Sequence, residues 1–214
     1  VYEYQVNLQK RKEDVIRLID EKGLLTEELK QEILKASKLV EIEDIYRPFK
    51  EKKKTKGLEA INNGLEPLAK EIMTFPTNMP DVSKYINEKV KSEEEAITGA
   101  KYIIAEIVSD NSNYRKWIRN NIFRYGSISS KIKKNAEDEN KVYNMYYDYA
   151  EKIRNIKSHR VLALNRGEKE GILTVSISDD KENVLKWLES KVVKSEKQKS
   201  SPVYKFVIEA IEDS

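Results

Sequence analysis

The chain has 214 residues, 40 Lys and Arg against 37 Asp and Glu, a net charge of +3 and no cysteine. A disulfide framework and thiolate zinc sites are therefore excluded, no run reaches the roughly 20 apolar residues of a membrane span, and any attraction to nucleic acid or anionic lipid has to be local. With 36% charged and 39% hydrophobic residues, the chain carries more charge than one compact sphere would accommodate, which points to an elongated helical shape.

Taken in chain order, Tyr4, Leu8, Val15, Leu18 and Ile19 share one face of a first helix, and Gly23 supplies the left-handed residue that ends it. Thr26 is the expected N-cap of a second helix, with Glu27 and Glu28 placed to suit its dipole. Leu39, Ile42, Ile45 and Tyr46 repeat at helical spacing up to Arg47-Pro48, beyond which a basic loop runs from Lys50 to Lys56. Two short helices are predicted at Leu58–Asn63 and Leu65–Met73 around an Asn63-Gly64 turn, and another short one begins at Asp81. Ser92 and Glu95 form the capping box of a long helix carrying Ala96, Ala100, Ile103, Ile104, Ile107 and Val108. Within it Gly99 costs about 1 kcal/mol of helix propensity, which a close helix crossing would offset.

A further helix is predicted over Tyr114–Phe123, with Trp117, Ile118 and Ile122 as its buried stripe and Arg115 and Arg119 on its wet face. Ile128 to Lys134 alternates as a short strand, Lys141 to Ile153 is read as a tyrosine-rich helix, and Ser158 is expected to cap a helix closed by a positive φ at Gly167. Leu173, Val175 and Ile177 alternate with Thr174, Ser176 and Ser178 as in a half-buried strand. A helix around Val184 to Leu188 and a polar linker from Lys194 to Ser200 follow, and Ser201-Pro202 opens the last helix.

Two basic groups are candidate nucleic-acid-binding residues. Arg47, Lys50, Lys52, Lys53, Lys54 and Lys56 could contact phosphates, and four engaged lysines would give a salt slope of about −3.6 on duplex DNA. Glu51 dilutes that cluster, so a solvated loop is the plainer reading. Arg115, Lys116, Arg119 and Arg124 are interleaved with Tyr114, Trp117, Phe123 and Tyr125, as in a surface that stacks and neutralises single-stranded RNA, although core packing explains the same spacing. The single histidine, His159, has no nucleophile or orienting carboxylate near it in sequence, and the acidic runs fall at a helix start or in turns. No phosphate loop, dinucleotide fingerprint or metal motif is present, so no enzyme activity, catalytic residue, metal or cofactor is expected.

Three segments carry a family likeness. Leu39-Val40-Glu41-Ile42-Glu43-Asp44-Ile45-Tyr46-Arg47-Pro48-Phe49-Lys50 running through Gly64-Leu65-Glu66-Pro67-Leu68-Ala69, the stretch Thr98-Gly99-Ala100-Lys101-Tyr102-Ile103-Ile104-Ala105-Glu106, and Ser158-His159-Arg160-Val161-Leu162-Ala163-Leu164 followed by Arg166-Gly167-Glu168-Lys169-Glu170-Gly171 resemble, in order, the N-terminal region of Tex. Tex is a bacterial family of RNA-binding transcription accessory proteins. The resemblance implies a mainly α fold with a helix-turn-helix-like subdomain and one or two short β-strands, in which the N-terminal helices pair with the C-terminal portion. It implies an N-terminal helical segment at 1–56, the helix-turn-helix-like part at 57–126, and a mixed segment at 127–214 that ends before an RNase H-like domain. The chain is accordingly read as a fragment, a cytoplasmic scaffold with no membrane association. It would serve a nucleic-acid-binding parent, RNA ahead of DNA, that works with the transcription machinery. The competing reading is an autonomous helix-turn-helix DNA-binding module using Lys84, Asn87, Arg115 and Arg119 as base readers.

Overall fold

A computed structural model describes residues 2–50 and 55–214. Among these residues the fold is mainly α: eleven α-helices and three short 3-10 turns accompany one three-stranded antiparallel sheet. The helices are α1 (Tyr2–Asp20), α2 (Glu27–Lys35), α3 (Leu39–Tyr46), α4 (Lys56–Asn62), α5 (Glu66–Met73), α6 (Glu93–Ser109), α7 (Ser112–Tyr125), α8 (Ser158–Lys169), α9 (Lys181–Val192), α10 (Glu196–Lys199) and α11 (Tyr204–Asp213). The strands are β1 (Ser127–Ile132), β2 (Asp148–Lys152) and β3 (Leu173–Ser178). Two compact units result, one comprising Val1–Lys116 with Leu185–Ser214 and the other Trp117–Val184.

In the first unit, α1, α2 and α3 close around Leu8, Val15, Ile19, Ile33, Ile42 and Ile45. The local signals behave as their chemistry dictates. Thr26 accepts a hydrogen bond from the Leu29 amide, and Gly23 takes φ +67° at the end of α1. Lys12 is buried and directs its ammonium to the Leu34 carbonyl at 2.7 Å, so its charge is solvated by backbone where water is excluded.

The remaining helices of this unit gather on α6. Ser92 caps it through the Glu95 amide, while the Glu95 carboxylate accepts from the Lys91 amide, one residue short of the box expected at Ser92. At Gly99 the α4 residue Ala60 and Leu65 at the start of α5 press on α6: a Cβ added there would lie 2.3 Å from Leu65 Cδ1 and 3.3 Å from Ala60 Cβ. Helix α11 packs on α6 through Val207, Ala210 and Ile211, with a Lys101–Glu209 ion pair at 2.8 Å beside the contact. It begins at Tyr204, later than the Ser201-Pro202 cap predicts, because the Ser201 hydroxyl is turned to the Pro76 carbonyl at 2.6 Å. The expected linker contains α10, capped by Ser195, and the segment after Asp81 forms a 3-10 turn over Val82–Tyr85.

The second unit holds the sheet, in the order β2-β1-β3, with α8 packed on one face. Three strands exceed the one or two expected, and the extra one is β2, which lies in the segment predicted as a helix. Its Tyr149 faces α8 with Ser130 and Val175, whereas Asp148, Ala150 and Lys152 point away, the two-residue period of a strand, and Tyr143, Tyr146 and Tyr147 precede it in turns. Gly167 also departs from expectation. It lies inside α8, which continues to Lys169, and the positive φ of +78° belongs to Gly171. Gly167 is needed for space, since a Cβ there would meet Leu173 Cδ1 at 2.6 Å and Tyr143 Cδ1 at 3.0 Å. Ser158 is the first helical residue, and the N-cap is Lys157, with no side-chain cap bond.

These close approaches set an expectation for stability. Gly99→Ala should destabilise the chain by about 1–3 kcal/mol through overpacking against buried Leu65, despite alanine's higher helix propensity. Gly167→Ala should do the same against Leu173. Urea unfolding followed by far-ultraviolet circular dichroism measures both, and a gain in stability at either site would refute the packing account.

Candidate nucleic-acid interface

Much of what the sequence offers as phosphate-binding charge is used inside the first unit. Glu41 and Asp44 lie three residues apart on α3, and Arg47 follows in the 3-10 turn Arg47–Phe49, so the three share one side of the helix. Each meets an opposite charge at the corner joining α6 to α7. Lys116 Nζ lies 3.2 Å from Glu41, Arg115 Nε lies 2.9 Å from Asp44, and Arg47 Nε lies 2.8 Å from Asp110, the C-cap of α6. Arg115 also donates to the Ser109 carbonyl at 3.4 Å.

The structure therefore brings together one residue of the first basic group and two of the second, as partners of carboxylates. Arg115 does not sit on a wet face: Asp44 is 5% exposed and draws the guanidinium inward. The signal that could have revealed this was the pair Glu41 and Asp44 at helical spacing, which reads in isolation as a solvated acidic face. Trp117, Ile118 and Ile122 are half-buried, and Asn121 is the buried residue of α7.

The other candidates are dispersed. Lys50 is exposed, and Lys52, Lys53 and Lys54 lie outside the described residues. Lys56 places its ammonium 4.7 Å from the centroid of the Tyr102 ring, a cation–π contact on the rim of a groove of about 550 Å³. That groove is also lined by Glu59, Glu94 and Lys89, so its charge is mixed and it is not an anion cleft. Arg119 is half-buried, whereas Arg124 is exposed with Phe123 and Tyr125 at the C-terminal end of α7. His159 is exposed in the first turn of α8. Among the described residues, no group of three or more His, Cys, Asp or Glu side chains could hold a metal ion. Among them, too, no helix is long and apolar enough to cross a membrane.

The tyrosines of the segment from Lys141 to Ile153 form carboxylate pairs. Tyr143 donates to Glu170 at 2.8 Å, Tyr147 donates to Asp138 at 2.9 Å, and Tyr149 bonds Glu151, which also accepts from Arg160 at 2.8 Å. Burial first, and the adjacent carboxylate second, raises the phenol pKa in each of these tyrosines. Tyr143 is buried with Leu164 of α8 and Leu173 of β3, and Tyr147 and Tyr149 pack against that cluster.

With this geometry in place, comparison with known proteins is informative. The Tex central region-like family model matches residues 76–212. The chain is 47% identical to the protein YdcI of Bacillus subtilis, with 100% of this chain and 30% of that protein covered. It is 30% identical to the transcriptional accessory protein Tex of Neisseria gonorrhoeae over 82% of this chain and 23% of that protein. It is 31% identical to S1 RNA-binding domain-containing protein 1 of Pongo abelii over 83% of this chain and 19% of that protein. The chain belongs to the Tex family, and it spans less than a third of the length of these relatives.

Glu41 gives the interface a pH signature. Its carboxylate accepts from the Ser37 amide at 2.8 Å and from the Lys38 amide at 3.3 Å while facing Lys116. The Ser37 amide, and after it Lys116, hold its pKa below the usual glutamate value, outweighing burial. A depressed folded-state pKa contributes stability above the unfolded-state value, about 4.3, and that contribution is lost as pH falls through the folded value. Glu41→Gln should therefore cost about 1 kcal/mol at neutral pH, the scale of a helix cap, and progressively less below about pH 4. Denaturation midpoints of both proteins across this range test it; a penalty independent of pH would contradict the electrostatic account.

Proposed function

We propose that this chain is a scaffold region of a Tex-type transcription accessory protein. In this reading the full-length protein binds nucleic acid, RNA ahead of DNA, in the cytoplasm and alongside the transcription machinery, and this region carries no catalytic activity. The observation that carries the proposal is the likeness, across more than four-fifths of the chain, to one protein named as a transcriptional accessory protein and another named for an S1 RNA-binding domain. The geometry supports a structural role for this region, because Arg47, Arg115 and Lys116 hold α3 against the α6–α7 corner.

The same geometry weighs against an autonomous helix-turn-helix reader. Of the side chains suggested for base contact, Arg115 pairs with Asp44, Lys84 with Asp81 at 3.2 Å, and the Asn87 amide donates to the Asn63 and Tyr85 carbonyls. Reading bases through Arg115 would break its pair with buried Asp44, and reading through Asn87 would break its bonds to two backbone carbonyls, whereas the exposed Lys84–Asp81 pair costs little to open.

The test is salt-dependent binding to single-stranded RNA and duplex DNA, measured for the full-length parent and for this chain. The parent should bind RNA in preference to duplex, and this chain should bind more weakly. Changing Lys52, Lys53, Lys54 and Lys56 together to Glu should weaken binding equally for all sequences, as loss of phosphate contacts does, and unchanged affinity at low salt would assign the loop to solvent. A parent without RNA affinity at low salt would reject the proposal. So would metal-dependent nuclease turnover by this chain that a point change within it abolishes.

A further inference from the structure

The sheet of the second unit has one face under α8 and one open. On the open face the register sets Lys152, Ser127 and Ser178 in one row, Ala150, Ser129 and Ser176 in the next, and Asp148, Lys131 and Thr174 in the third. Lys133, just past β1, continues the alternation, since its amide still donates to the Ile172 carbonyl at 2.8 Å. Thr174, Ser176, Ser178, Ala150 and all three lysines are exposed.

The charge on this face is not neutralised as it is at the α3 seam. Among the described residues, Lys131, Lys133 and Lys152 make no ion pair, and Lys152 only donates to the Tyr125 carbonyl at 2.8 Å. The single carboxylate in the rows is Asp148, against three ammonium groups. No aromatic or large aliphatic side chain rises from the open face, so a chain laid on it reaches the strands closely but finds nothing on which to stack its bases.

We propose that this open sheet face is a binding site for the backbone of single-stranded RNA. The lysines neutralise phosphates along the strand: on β1 the step from Lys131 to Lys133 is about 7 Å, two residues of extended chain, and Lys152 stands farther along, opposite Ser127. The Ser127, Ser129, Ser176 and Thr174 hydroxyls, each both donor and acceptor, match the ribose 2′-hydroxyl, which is likewise both. Binding is therefore indifferent to base sequence and favours RNA over single-stranded DNA. The proposal rests on the nucleic-acid reading above and assigns part of that activity to this chain.

The experiment is fluorescence anisotropy with a labelled 12-nucleotide oligouridylate, its oligothymidylate counterpart and a duplex DNA of equal length. The proteins are this chain and the full-length parent, from 50 to 200 mM salt. This chain should bind the oligouridylate most tightly, with a log–log salt slope near −2, the value for three phosphate contacts on a single strand. Lys131→Gln, Lys133→Gln and Lys152→Gln together should weaken binding at least tenfold at 50 mM and flatten the slope toward zero. Ser176→Glu, which leaves every lysine in place, should weaken binding at least fivefold and decides the matter if the triple variant fails to fold. An unchanged slope in the folded triple variant, or tighter binding to duplex than to oligouridylate, would overturn the proposal. If the parent binds RNA but this chain does not bind at 50 mM salt, this inference falls and the proposed function stands; if neither binds, both fall.

Discussion

A buried carboxylate organises the N-terminal part of this chain. Asp44 sits between Ile42 and Ile45 on a helix whose other inward residues are apolar, and removing its charge from water costs several kcal/mol unless an opposite charge and further hydrogen bonds replace the lost solvation. Arg115 supplies that replacement from the first turn of α7, and Arg47 makes the reciprocal reach to Asp110 at the end of α6. The two pairs run in opposite senses, anion to cation and cation to anion, so α3 and the corner fit in one register only. The Lys116–Glu41 pair, with its lysine 59% exposed, adds at most about 1 kcal/mol, and much of Glu41's value comes from capping α3. Replacing the Asp44–Arg115 pair by apolar residues could leave stability unchanged, yet it would remove the constraint on register.

This arrangement explains how much was legible in the sequence. Thr26, Ser92, Gly23 and Gly64 act within a turn or two of their own position, and each does what its local chemistry requires. The close crossing at Gly99 was also readable, because a glycine inside an apolar helix needs a reason. Errors arose where distant chain decides. The segment from Lys141 to Ile153 looked helical because Tyr143, Tyr146, Tyr147 and Tyr149 recur at spacings that fit either period, and only pairing with β1 selects a strand at Asp148–Lys152. Gly167 was rightly singled out but for the wrong cause: its constraint is Leu173 pressing from the sheet, and no dihedral requirement is involved. Arg115 looked wet because its partner lies 71 residues away.

The same reasoning separates the two kinds of cation in this chain. Lys and Arg nearly balance Asp and Glu overall, so composition says only that attraction must be local, not where it is. The basic residues that cluster in sequence are partly spent on carboxylates, whereas Lys131 and Lys133 share one face at the end of β1 and Lys152 joins their face from β2 only through the register of the sheet. A serine-and-lysine strand has no distinctive motif, because its chemistry exists only once neighbouring strands align their hydroxyls on one side.

A surface with three lysines that make no ion pair among the described residues has a definite physical ceiling. With a slope near −2, raising salt fourfold from 50 to 200 mM lowers affinity about 16-fold, so an isolated site of this size weakens steeply as salt rises. Such a site becomes effective when a second nucleic-acid site on the same polypeptide holds the strand nearby. The second encounter is then intramolecular, at an effective concentration that reaches the millimolar range for short connections. In the proposed reading, the open sheet face orients and extends a strand captured elsewhere in the longer protein, and its lack of base-stacking side chains lets that strand slide without preference for sequence.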